Sequence, residues 1–202
     1  MIFLSASVPT PAREYYGTEN IFAIREAIIA FTTVCVQYGI RFYFGGHPAI
    51  TPLVRDVAMQ NAERTMPLID LYQSKIFGED IPKEAYDFKH IHMTEPVGNN
   101  TIKSVIAMRE QMFEENYTDC AVFIGGMNGI IDEYEMLKKK YPEAKYYALA
   151  STGGASADLY KKIGVENSLL EYSYAYMSLF KDLLLEFKNN TTSGSSMIYK
   201  CN

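Results

Sequence analysis

The stretch CAVFIGGMNGIIDEYEML, residues 120–137, decides the fold. Cys120–Ile124 is a continuous apolar run of strand length, the pattern of a strand covered on both faces. It stops at Gly125-Gly126, and Met127-Asn128-Gly129 leads into a helical pattern that lasts to Lys140. On that helix Ile130, Tyr134, Leu137 and Tyr141 recur three and four residues apart. Glu133 flanks the stripe and Asp132 points to the opposite face. A buried strand, a glycine turn and an amphipathic helix form the repeating unit of a parallel α/β sheet.

The same unit recurs on either side. Ile2–Leu4 is a short apolar run ending in Ser5-Ala6-Ser7. Ile21, Ile24, Ile28, Phe31, Cys35 and Tyr38 then mark a helix that Gly39 is placed to end. Arg41–Phe44 is a second strand, stopped by Gly45-Gly46. Thr51-Pro52 reads as an N-cap followed by proline at the first helical position, with Leu53, Val54, Val57 and Ala58 inward. Leu68–Tyr72 is a third strand, and residues 78–100 form a long excursion with a short strand around His90–Met93. Thr101–Glu115 is helical. Lys145–Ala150 is a strand ending in Ser151-Thr152-Gly153-Gly154, a short helix stops near Gly164, and a last amphipathic helix covers Asn167–Phe187. The expected fold class is α/β, a Rossmann-like, mostly parallel sheet with helices on both faces. Residues 1–188 are expected to form one domain. Residues 189–202, with their NNTTSGSS run, read as a flexible tail or linker.

Composition narrows the function classes. Of 202 residues, 48% are hydrophobic and 21% charged, which suits a globular domain with a real core. The formal net charge of −5 argues against a nucleic-acid partner, and the one basic run, Lys138–Lys140, reads as a solvated helix face. No CxxC occurs among the three cysteines, so neither a zinc site nor a disulfide frame is indicated. His90 and His92 are two apart with no third ligand at a sensible spacing, so no metal is expected. No cofactor is indicated. The apolar start is too short for a signal peptide and no apolar run approaches membrane-spanning length, so a cytoplasmic setting and no membrane partner are expected.

The chemistry concentrates in loops. Three strands end in a glycine pair: Gly45-Gly46, Gly125-Gly126 and Gly153-Gly154. Lacking Cβ atoms, such loops let backbone N–H groups approach a ligand, and a following helix N-terminus favours an anion. The alternative is that each pair only serves a tight turn. In a parallel sheet ligands lie beyond the carboxyl ends of the strands, where all three pairs would fall. Arg109 falls in the middle of the stripe Ile102, Val105, Ile106, Met112 and Phe113. It either reaches a phosphate or carboxylate, or it makes a structural ion pair or extends to the helix edge. Glu133, read in the first helical turn, either complements the helix dipole or enters the pocket, to hold a ribose hydroxyl or act as a general acid/base. His47, in GGHP, either contacts a phosphate or base or is structural. A ligand's phosphates are expected over Gly45-Gly46 and over Gly125–Gly129 with Met127 and Asn128, and Ser5, Ser7 and Ser151–Gly154, Thr152 among them, complete the rim.

These residues carry a resemblance. MREQMF followed by CAVFIGGMNGIIDEYEML resembles the nucleotide-binding core of the Lonely Guy phosphoribohydrolases, with Arg109 sixteen positions before Gly125. The wider set IFLSASVP, FGGHPAITPL, FIGGMNGIIDEYEML and STGGAS is closer still to the SLOG superfamily. It most resembles the branch found beside TIR and sirtuin-type domains in bacterial conflict systems. The likeness runs over most of Ile2–Lys161. It implies a nucleotide-derived ligand, sensing of NAD-derived signals such as cyclic ADP-ribose isomers in anti-phage defence, a homodimer or tetramer, and a TIR or sirtuin-type effector. By position Arg109 and the Gly125–Gly129 loop carry over as phosphate and ribose contacts. The chain has GGxxG where the hydrolases have GGxG, and the extra residue displaces Glu133 by one position; it also lacks the leading proline and has Ile130 in place of threonine. That favours binding over cleavage. The alternative is a nucleotide N-glycosidase with Glu133 as its catalytic carboxylate.

Overall fold

In the computed structural model, which describes residues 1–189, six parallel strands form one sheet in the order β4-β3-β2-β1-β5-β6. They are β1 (Ile2–Ser7), β2 (Phe42–Gly45), β3 (Ile69–Ser74), β4 (His90–Thr94), β5 (Cys120–Gly125) and β6 (Lys145–Leu149). The helices are α1 (Ile21–Tyr38), α2 (Thr51–Ala58), α3 (Ala62–Thr65), α4 (Thr101–Glu115), α5 (Asn128–Lys140), α6 (Ala155–Ile163), α7 (Ser168–Tyr172) and α8 (Tyr176–Leu184). The α/β, Rossmann-like reading of the sequence is correct. The tail expected at 189–202 lies, apart from Asn189, outside the described residues.

Strand alternation divides the core in two. Ile2, Leu4, Phe42, Phe44, Val122 and Ile124 face α1, α2 and α8. Phe3, Tyr43, Tyr72, Ala121 and Phe123 face α4, α5 and α6. Aromatic edges lock both layers, as where Phe31 of α1 meets Phe42 and Phe180 edge-on at 5.1 and 5.5 Å.

Several elements depart from the sequence reading. Helix α1 has 18 residues and a mean hydropathy of 1.4, so by length and composition it passes for a membrane span. Here it is a core helix, with ten residues from Ala23 to Val36 buried against the sheet and α8. Strand β3 extends two polar residues past Tyr72, and all six of its residues are buried. Within the 78–100 excursion the short strand is real: β4 pairs with β3 from Asp70↔His90 to Ser74↔Thr94. Thr51 does not cap α2. Ile50 is the N-cap, and Thr51 in the first turn accepts the His47 amide at 3.1 Å. The last helix is two, because the Ser173 hydroxyl accepts the Ala175 amide at 3.1 Å and turns the chain between α7 and α8.

Cys35 and Cys120 are free and fully buried, and burial pushes both thiols well above their ordinary value. With Cys201→Ser removing the tail cysteine, the folded chain is expected to resist a thiol reagent at pH 8 and to label at both sites in urea. Labelling of the folded chain at the free-thiol rate would contradict this packing.

Candidate functional site

The chain moves outward from β1 to β4 and then crosses back to β5, so β1 and β5 are neighbours whose crossovers cover opposite faces. That is the topological switch point, where a crevice opens beyond the carboxyl ends of the strands. The paired ends here are Ser5↔Phe123 and Ser7↔Gly125.

Three elements meet over this crevice through one chain of hydrogen bonds. The Ser5 hydroxyl, nearly inaccessible at the end of β1, donates to Oε2 of Glu133 at 2.5 Å. Oε1 of Glu133 accepts from Nε of Arg109 at 2.9 Å. Nη2 of Arg109 donates to the Gly129 carbonyl at 3.1 Å, and Nη1 lies 3.5 Å from Asp132. The Arg109 and Glu133 side chains are only 12% and 13% exposed, so this is a largely desolvated pair. Such a pair is tolerated when its remaining donors and acceptors are also satisfied, as they are here. Glycine at 129 is what admits the guanidinium, since a Cβ there would fall 2.5 Å from Nη2.

The position of Arg109 corrects the helical projection. Ile102 and Ile106 are exposed, and the buried residues of α4 are Ser104, Met108, Met112 and Phe113. The inward face is turned by roughly 80° from the apolar stripe, which puts Arg109 at its edge, beside α5. Helix α5 starts at Asn128, inside the glycine loop, so Glu133 stands in its second turn rather than its first. Asp132 points outward as expected, but its carboxylate still reaches Arg109.

The glycine pairs are largely committed to the fold. The Gly125 amide donates to the Thr152 hydroxyl at 2.8 Å and the Gly126 amide to the Ser7 carbonyl at 2.8 Å. Gly46 donates to the Tyr72 carbonyl, Gly153 to Ala150 and Gly154 to Thr18. Loops 125–126 and 153–154 lie backbone against backbone, with Ala155 donating to the Gly126 carbonyl at 3.0 Å. Among the described residues, the amides of Met127, Asn128 and Gly129 make no loop hydrogen bond, and no side chain caps α5. Capacity for an anion therefore narrows from three glycine pairs to the α5 N-terminus beside Arg109. The segment between β1 and α1 crosses this end: Glu14 accepts from the Asn128 side chain at 2.5 Å, and Glu19 bridges to Gly153.

A model of the SLOG cluster3 family matches residues 14–184, most of the chain. The chain belongs to this SLOG family. A search of curated proteins gave no match. In the SLOG domain Arg109, the Gly125–Gly129 loop, Glu133 and Thr152–Gly154 lie inside the matched span, whereas Ser5 and Ser7 precede it.

The remaining loop, Gly45-Gly46-His47, sits on β2, the other neighbour of β1. Nδ1 of His47 accepts the Ala49 amide at 3.1 Å, leaving the ring proton on Nε2. Burial lowers the His47 pKa to about 4. The unfolded chain takes up this proton near pH 6.5 and the folded chain does not, so acid favours unfolding over that interval. The wild type is expected to lose stability relative to His47→Gln as pH falls from about 6.5 to about 4, read by urea unfolding. Parallel pH curves for the two proteins would refute the half-buried neutral imidazole.

Beside His47 the sequence reading missed a residue. Gln73, second from the end of β3, is 3% exposed, and its Oε1 has no hydrogen-bond partner. A buried polar group left so costs about 1–3 kcal/mol. The signal in the sequence was a glutamine directly after an apolar run, read there as the strand's end. Among the described residues no group of three side chains has metal-binding geometry. His90 and His92 share one face, as expected, but they converge on Asp70 at 3.6 and 3.0 Å. His92 also stacks on Tyr72 at 4.3 Å, tying the edge strand to the sheet toward the amino ends, away from the crevice.

Proposed function

We propose that this SLOG domain binds a nucleotide-derived ligand across the carboxyl ends of β1 and β5 and acts as a sensor of an NAD-derived signal, such as a cyclic ADP-ribose isomer, in bacterial anti-phage defence. The observation that carries the reading is the Ser5–Glu133–Arg109 chain, which places a nearly buried guanidinium beside the uncapped N-terminus of α5. A phosphate arriving there gains the helix N-terminus and competes with Glu133 for Arg109. Exchange of that internal carboxylate for a ligand anion would loosen α4 from α5, which is a route from occupancy to an effector. The NAD-derived identity and the TIR or sirtuin-type effector follow from the motif resemblance. A homodimer or tetramer is part of the same proposal, and exposed Ile102 and Ile106 on α4 offer an apolar face for it.

The second reading, a nucleotide N-glycosidase, is favoured by a carboxylate held in the crevice. Against it, both Glu133 oxygens are already engaged, one by Ser5 and one by Arg109. An acid/base group needs a free oxygen facing the reacting bond. The test is thermal unfolding with ADP-ribose, cyclic ADP-ribose isomers, NAD and AMP, each mixture then analysed by chromatography. A sensor is expected to gain about 5–10 °C in Tm at roughly a hundredfold excess over Kd, with the ligand intact. Appearance of free base would establish the hydrolase, and no shift with any compound would end the nucleotide reading.

A further inference from the structure

We propose that Gln73 and His47, on either side of Gly46 at the carboxyl ends of β2 and β3, form an uncharged hydrogen-bonding subsite for an adenine-type base. The proposal rests on the nucleotide reading above and adds where the base lies. The carboxamide of Gln73 is packed directly on Gly46, where a Cβ would fall 1.9 Å from Oε1 and 3.0 Å from Cδ. Only glycine admits the amide in this position, and the fold keeps its Oε1 there unpaired. Buried side-chain amides are as a rule hydrogen-bonded, so an orphan near the open end of a strand marks a requirement that something else meets.

His47 supplies the second group. Its Nδ1 is taken by the Ala49 amide, and its Nε2 has no partner among the described residues. Both groups are neutral, so they do not compete with Arg109 for phosphate. They suit a flat ligand edge that offers a donor and an acceptor side by side. A glutamine carboxamide matches the N6/N7 edge of adenine with two hydrogen bonds.

The spacing agrees. β5, β1, β2 and β3 are successive neighbours, so the α5 N-terminus and Gln73 stand three strand spacings apart. At ~4.8 Å per strand this is about 14 Å along the sheet, room for phosphate, ribose and base. Because Gln73 shares the Leu71 face and Ser5 the Phe3 face, the ligand passes over the carboxyl edge from the α4–α5 side to the α1–α2 side. The phosphate then lies at Arg109 and the base beyond β2.

The experiment is isothermal titration of AMP and of ribose 5-phosphate into wild type, Gln73→Met and His47→Phe. Methionine keeps the volume of glutamine and removes its hydrogen bonds. Wild type is expected to bind AMP at least about tenfold tighter than ribose 5-phosphate. Gln73→Met should lose that preference while holding ribose 5-phosphate at the wild-type level. AMP bound by Gln73→Met as tightly as by wild type, or both probes weakened alike, would overturn the subsite. If Gln73→Met does not fold, the same comparison in His47→Phe decides. Equal wild-type affinity for the two probes removes the base subsite alone, whereas binding of neither removes the nucleotide reading with it.

Discussion

Replacing Arg109 by methionine is expected to lower the unfolding midpoint by about 10 °C and to weaken binding of any phosphate-bearing ligand by about a hundredfold or more. The stability loss comes from Glu133, not from the arginine itself. With its carboxylate 13% exposed and its partner gone, Glu133 is left as a nearly buried charge held only by Ser5. Removing one member of such a pair costs about 3–5 kcal/mol. Removing both should cost much less, so Arg109→Met/Glu133→Leu is expected to recover most of the lost stability while binding stays lost. Glu133→Gln separates the roles further. It frees the guanidinium from its internal competitor, so a sensor should bind its anion more tightly, whereas a hydrolase should lose turnover. If Arg109→Met retained wild-type affinity, the assignment of the phosphate position would be wrong.

The second large effect is expected from Gly154→Ala, at about 3–5 kcal/mol in urea unfolding. Gly154 has φ 62 and ψ −157, a backbone region that L side chains essentially never adopt, worth about 1–3 kcal/mol. A Cβ there would also fall 2.8–3.1 Å from backbone atoms of Gly125 and Gly126, which cannot swing aside as a side chain can. Overpacking of this kind adds about 1–3 kcal/mol. Gly164→Ala is the control. It too has a positive φ, 71, but in the left-handed helical region and with nothing within 4 Å of the added atom. It should cost only about 1 kcal/mol. Equal losses for the two variants would show that the loop-to-loop contact does not matter.

The glycine pairs show how a correct sequence observation can carry a different physical cause. Their place at the strand ends was legible, because a strand that stops at two glycines before a helix is a local pattern. Their amides, however, bond mostly to neighbouring strand ends and loops, and this depends on which strand ends lie side by side. In the same way the periodicity of α4 located a helix with Arg109 on its apolar side, yet Ile102 and Ile106 face outward. A helical projection gives the relative order of side chains around the axis. The packing of α4 against β3 and α5 sets the absolute rotation.

By itself the sequence determined the order of strands and helices, the parallel α/β class and the placing of Ser5, Arg109 and Glu133 as candidates, since these follow from periodicity and from turn residues a few positions apart. Only the tertiary structure decided that Arg109 is paired with Glu133, that the α5 N-terminus carries no side-chain cap, that Gln73 is buried with its Oε1 unpartnered, and that the last helix breaks at Ser173. Each of these depends on contacts between side chains and backbone brought together from separate elements. A one-dimensional pattern carries no information about the distances between such groups, and their energies are set by burial and by the partners present.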